Sequence, residues 1–221
     1  MVRVLALLVV VAGCALAKRG TYSGNRSGCL SVDTIDRSIR ENYCDQPLFV
    51  TFVPKTEENT LLDNICYTYF PLPDDPNTFQ IYESRVFCDG SSDVVSFIGT
   101  QFDLGVQRYA NPYCTSSEIY FGYAGCDTYL VYSCNNFGNC NNYGSSPCIY
   151  GISAQCRSIG LSCLRKVEEI VSDNCLPDLE YYVLPMKLPN RCVTQQNCLN
   201  PTAGNQFYKA LGFTGPIGVY R

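Results

Sequence analysis

Fifteen cysteines in a chain of 221 residues that has no histidine constrain this protein more than any other feature. Thiols at that density serve either cross-linking or metal binding. Zinc sites draw on closely spaced Cys pairs and on His. Here there is no Cys-x-x-Cys pair and no His, so the cysteines are read as cross-links and no metal site is expected. Cross-links in such number persist in an oxidising compartment. The N-terminus agrees. Arg3 precedes an apolar run at residues 5–12, and Ala15-Leu16-Ala17 has the small-x-small form of a cleavage site. Residues 1–17 are therefore read as a signal peptide, too short to act as a transmembrane helix, with cleavage expected before Lys18. Val11-Ala12-Gly13-Cys14 also has the form of a lipoprotein box. The cysteine density downstream is foreign to a lipidated bacterial chain, which favours plain secretion. No later stretch reaches about 18 apolar residues, so no transmembrane segment is expected.

Loss of Cys14 leaves Cys29, Cys44, Cys66, Cys88, Cys114, Cys126, Cys134, Cys140, Cys148, Cys156, Cys163, Cys175, Cys192 and Cys198. An even set in a secreted chain reads as disulfides throughout. Each would contribute about 2–4 kcal/mol, mostly by restricting the unfolded chain. Residues 18–28 are polar and rich in Gly and Ser, a flexible lead. They contain the sequon Asn25-Arg26-Ser27, with Asn25 as the expected glycosylation site. What remains is long enough for one domain with a real core. The formal charge of −4 comes without a basic patch, which argues against nucleic acid as a partner. Tyr is abundant, at 17, and suits strands and half-polar cavities.

Along the chain, β patterns dominate from Leu48 onward. Strands are expected at 48–53, 65–70, 78–87, 94–98, 119–123, 128–133 and 148–154, with turn clusters at 74–77 and 89–92. Residues 33–41 suggest one helical turn, and 135–146 an Asn/Gly-rich loop. The period then changes. Leu161, Leu164, Val167 and Val171 (or Ile170) recur at three and four residues, with Arg165, Lys166, Glu168 and Glu169 opposite. That is one amphipathic helix, starting near Ser158 or Ser162 and stopping at Asn174. A short apolar stretch at 181–184 follows. Many short strands and one helix indicate an all-β meander sheet or barrel with a packed helix.

This order of features resembles the lipocalins, and within them the apolipoprotein D and insect bilin-binding branch. Gly125-Cys126-Asp127-Thr128-Tyr129-Leu130-Val131-Tyr132-Ser133-Cys134 is similar to that branch's aspartate–aromatic strand ending in Tyr-Ser-Cys. Cys66-Tyr67-Thr68-Tyr69-Phe70 looks like its second strand, and Phe97-Ile98-Gly99-Thr100 like its strand with an Ile-x-Gly step. Two departures stand out. The Gly-x-Trp signature of the first strand is absent, and Gln155 stands where an Arg normally packs over that Trp. Extra disulfides are expected to replace that closure.

The resemblance implies an eight-stranded up-and-down antiparallel barrel over residues 29–192, with one C-terminal helix packed outside and a tail at 193–221. It implies the disulfides Cys29–Cys134 and Cys66–Cys192. It also implies a secreted carrier that holds a small hydrophobic molecule, such as a pigment, retinoid, sterol or fatty acid, without a resident cofactor. Alignment to the family puts Phe70, Ile81 and Glu83 toward the ligand, with Tyr129 and Val131 as a second group.

Enzymatic readings fare poorly. Without His, Ser-His and Cys-His nucleophiles are excluded. The pairs Glu57-Glu58, Asp74-Asp75 and Glu168-Glu169 read as solvated charge rather than a glycosidase pair. No catalytic residue is assigned. The main alternative is a disulfide-rich protein-binding module, an inhibitor or receptor ligand without cargo, with the loop at 135–146 and the tail shaping its surface.

Overall fold

The computed structural model describes residues 30, 32–36, 38, 48–72, 74–111, 114–137, 143, 147–178 and 180–188. The expected signal peptide, lead, Asn25 and tail lie outside these residues. Nine strands form one sheet: β1 (Leu48–Pro54), β2 (Leu62–Leu72), β3 (Asp75–Phe87), β4 (Ser92–Asp103), β5 (Val106–Asn111), β6 (Cys114–Tyr123), β7 (Thr128–Phe137), β8 (Cys148–Ser153) and β9 (Tyr181–Val183). A helix, α1 (Leu161–Asp173), lies between β8 and β9.

Strands β2 to β8 pair in sequence order, each antiparallel to the next. β1 then closes the ring. It pairs with β8 through Phe49, Val50 and Phe52, and with β2 through Leu48↔Tyr67 and Phe49↔Cys66. The result is a closed eight-stranded up-and-down barrel with one extra strand. β9 supplies the extra pairing, to Phe52, Val53 and Pro54. It occupies β1 beyond the two residues that β2 reaches. The following residues continue this strap: Leu184 N donates to Thr51 O at 3.1 Å and Met186 N to Asp63 O at 2.9 Å. The Asp63 carboxylate accepts from the backbone N–H groups of Lys187 at 3.1 Å and Leu188 at 2.8 Å. Every residue of β1 is buried, as its near-continuous apolar run requires.

Two cores result from the alternation of side chains across strands. The inner one includes Val50, Ile65, Tyr67, Tyr69, Phe79, Ile81, Tyr109, Val131, Tyr150 and Ile152. The outer one joins Phe52, Ile119, Phe121, Leu130, Tyr132 and Ile149 to the helix residues Cys163, Val167 and Val171. These three are spaced by four, one stripe of an amphipathic helix. Gly122 lets the helix approach: a Cβ there would sit 2.7 Å from Ile170 Cγ2.

Several boundaries differ from the sequence expectations. The helix is capped by Gly160, in extended conformation and without a side-chain cap bond, rather than by Ser158 or Ser162. Residues 32–36 are not helical. β5 had no counterpart in the sequence pattern, and β7 runs on through Phe137 into the expected loop. The pairing of β7 with β6 reaches Phe137↔Thr115, which is what carries the strand past its Asn residues.

Candidate functional site

An antiparallel meander alternates its connections between two ends. One end carries residues 55–61, 88–91 and Tyr143. On β3, Ile81 and Glu83 share the inner face, and Glu83 stands opposite Tyr67 of β2. Glu83 is buried, 5% exposed, and its Oε2 accepts from the Tyr67 hydroxyl at 2.9 Å. Arg85, two residues on and therefore on the same face, hydrogen-bonds Glu83 Oε1 through its Nε. This ion pair holds the guanidinium above its ordinary range. It also supplies the counter-charge that a buried carboxylate requires.

A second carboxyl faces the first. Glu118 on β6 is 6% exposed and takes hydrogen bonds from the hydroxyls of Tyr109 and Tyr150. Burial pushes its carboxyl up to about 7, and the nearby Glu83 adds to the rise. Its Oε2 has no hydrogen-bond partner among the described residues. Directly across on β5 stands Gln107, fully buried, with neither Oε1 nor Nε2 partnered. Buried polar groups are nearly always hydrogen-bonded, and leaving one unmade costs about 1–3 kcal/mol. Three such atoms on two facing side chains therefore mark a place where a partner belongs.

Tyr143, from the β7–β8 connection, enters at the same end. Its hydroxyl meets that of Tyr67, its ring packs edge-on against Tyr150 at 5.1 Å, and its carbonyl accepts from Asn59 Nδ2 at 2.9 Å. Burial and the neighbouring Glu83 push the Tyr67 and Tyr143 phenols well above their ordinary range, so both stay neutral donors. Gly99 keeps room at the wall. A Cβ there would lie 2.5 Å from Ile81 Cδ1 and 2.7 Å from Gln107 Nε2.

Of the residues expected to face a ligand, Ile81, Glu83, Val131 and the half-buried Tyr129 lie on or against the inner core. Phe70 does not. It is one residue out of phase with the inner Tyr67 and Tyr69, and it packs on Tyr82 of the outer face, centroids 5.7 Å apart. A strand that alternates strictly admits only one of two neighbours, and Tyr69 holds the inner place. Sequence reasoning missed Glu118, Gln107, Tyr109, Tyr143 and Tyr150. The signal for them was the period-two recurrence of polar and aromatic residues, as in Gln107-x-Tyr109 and Ser116-x-Glu118-x-Tyr120.

The cysteines divide. Cys66, Cys114, Cys134 and Cys175 are disulfide-bonded. Cys88, Cys126, Cys148, Cys156 and Cys163 are thiols, against the expectation that every cysteine is cross-linked. Cys29 and Cys192, the expected partners of Cys134 and Cys66, lie outside the described residues. Burial pushes the Cys148, Cys156 and Cys163 thiols up, away from the reactive thiolate form. Gln155, in the place of the expected Arg, donates from Nε2 to Asp127 Oδ2 at the surface. Among the described residues no group of three or more His, Cys, Asp or Glu side chains is placed to hold a metal ion. No helix among them is long and apolar enough to cross a membrane.

Comparison with known proteins agrees with this geometry at the level of the fold. No family model and no curated protein matches the sequence. The barrel is similar to the amine binding protein of Rhodnius prolixus, solved as its tryptamine complex. The identity is 13% and the TM-score 0.51, over 84% of this chain and 95% of that one. It is also similar to lipocalin 12 from rat epididymis, at 11% identity and a TM-score of 0.52, over 73% of this chain and 95% of that one. Closed eight-stranded ring, single outer helix and these likenesses together give the chain the lipocalin fold.

Proposed function

We propose that this chain is a secreted carrier that encloses a small, largely apolar molecule inside its barrel, as a divergent relative of the apolipoprotein D and bilin-binding lipocalins. The observation that carries the reading is the set of unpartnered polar atoms on Glu118 and Gln107, in an interior otherwise built of aromatic and aliphatic residues and the Glu83–Arg85 pair. Such interiors bind by removing apolar ligand surface from water while a few polar groups set orientation. Ile81, Val131 and Tyr129 supply apolar surface, and the Glu83–Arg85–Tyr67 group and Glu118 supply the polar end. Two proteins of similar fold are an amine binding protein and a lipocalin, which supports a binding role over a catalytic one. Secretion rests on the signal-peptide pattern of residues 1–17 and on the cysteine count. The test is organic extraction and native mass spectrometry of the protein purified from the medium of a eukaryotic host. A bound small molecule, and quenching of tyrosine emission by all-trans-retinol, are the expected results. Protein that emerges empty and leaves retinol, fatty acid and amine probes unbound refutes the reading.

A further inference from the structure

Among the described residues the interior carries two carboxyls, and one cation bonds either of them. Arg85 is committed to Glu83. Glu118 has hydroxyl donors from Tyr109 and Tyr150, yet its Oε2 remains without a partner. Both hydroxyl bonds favour the ionised carboxylate over the neutral acid. Burial opposes that charge more strongly than the two hydroxyls favour it, and among the described residues no cation pairs with the Glu118 carboxyl to offset the cost. Gln107 stands opposite in the ladder, and directly paired residues have Cβ atoms about 4.5–5.5 Å apart on one face. Its Oε1 is a second free acceptor beside the first. Two acceptors on directly paired side chains, one of them able to ionise, suit a compact donor with several N–H groups. Around them stand the rings of Tyr109, Tyr120 and Tyr150, whose faces attract a cation. An anionic or purely hydrocarbon ligand leaves Oε2 of Glu118 and Oε1 of Gln107 as they are.

We propose that the ligand of this barrel carries a protonated amine, seated between the Glu118 carboxylate and the Gln107 carboxamide oxygen, with its apolar body among the interior tyrosines. The proposal rests on the carrier reading and narrows it to amphiphilic cations. The Gln107 Nε2 donor, also unpartnered, would take an oxygen elsewhere on the same ligand.

Calorimetry on the extracted full-length protein tests it with three probes of matched size: 1-naphthylmethylamine, the neutral 1-ethylnaphthalene and the anion 1-naphthoate. A hydrogen-bonded charge pair in a buried site predicts that the amine binds about tenfold or more tighter than the neutral compound, and that the anion binds weakest. Glu118→Gln is expected to bring the amine's affinity down to that of 1-ethylnaphthalene for the same variant. Gln107→Met is expected to reduce that advantage, and it serves as the second variant should the first fold poorly. Equal affinities for amine and neutral probe in the unaltered protein overturn the proposal, as does preference for the anion. If all-trans-retinol binds in that case, the carrier reading survives alone. If no probe of any charge binds, the carrier reading falls with it.

Discussion

Glu118 makes the stability of the empty barrel depend on pH in a direction opposite to that of most carboxylates. In the folded chain its carboxyl is pushed up from the ordinary 4.5 to about 7, chiefly by burial, with Glu83 adding to the rise and the Tyr109 and Tyr150 hydroxyls opposing it. The folded state therefore holds this proton more tightly than the unfolded state. Stability from this group is fully present below pH 4.5 and is lost as pH rises through about 7. At about 1.4 kcal/mol per pH unit, that interval corresponds to a loss of about 3 kcal/mol. For a domain of this size the loss lowers Tm by about 6–12 °C. The variant Glu118→Gln keeps the shape and the acceptor of the neutral acid but cannot ionise. It is expected to match the unaltered protein at pH 4 and to exceed it by that margin at pH 8. Other groups facing the site do not confound the comparison. Tyr67, Tyr109, Tyr143 and Tyr150 and the Cys148 thiol are all raised further from neutrality, and Arg85 stays charged throughout. Glu83 is common to both proteins. Thermal melts followed by circular dichroism from pH 4 to 8, on extracted protein, measure the difference. Two parallel curves with a constant gap would refute the argument, because they would show that Glu118 does not change its charge in this interval.

Three further outcomes follow from particular contacts. Gly122→Ala drives a Cβ to 2.7 Å from Ile170 Cγ2, and overpacking of a helix on a sheet costs about 1–3 kcal/mol, read as a drop in Tm. Asp63→Ala removes the acceptor of two backbone N–H groups, at Lys187 and Leu188. Amide exchange at 184–188 should rise, with about 1–3 kcal/mol lost globally. The Cys126 and Cys163 thiols contact one another, and that contact adds to the upward push on Cys163. Glutathione-buffered oxidation should join them, and closing a loop of that length contributes about 4 kcal/mol in the chain-entropy account. Non-reducing peptide maps and a shifted urea midpoint test both parts.

Much of the barrel was legible because its strands obey one rule. Where one face meets the apolar interior and the other does not, the sequence alternates, as in Phe79-Gln80-Ile81, and where both faces are covered the apolar run is continuous, as in 129–132. The helix was legible for the same reason at a different period, through Leu164, Val167 and Val171. β5 was not, and the cause lies in its inner face. Val106, Gln107, Arg108 and Tyr109 put a buried amide inside and a charge outside, so the hydrophobic alternation that announces a strand is broken at the residue that faces the proposed ligand. The same substitution of polar for apolar hid Glu118, which sits within Cys114–Tyr123 but before the apolar run that marked the strand. Phe70 failed the other way, because a large aromatic residue is the obvious lining candidate, yet phase, and not size, decides the face. Tyr67 and Tyr69 had already taken that phase.

The misses at β5 and at Glu118 have one physical origin. A carrier must keep some inner positions unsatisfied so that a ligand can satisfy them, and those positions are the ones where local sequence departs from the pattern of a filled core. Gln107 and Glu118 depart from it on facing strands, at paired positions, with their free atoms on the same side of the ladder. Their coincidence at one rung is what turns two weaknesses of the core into a single site.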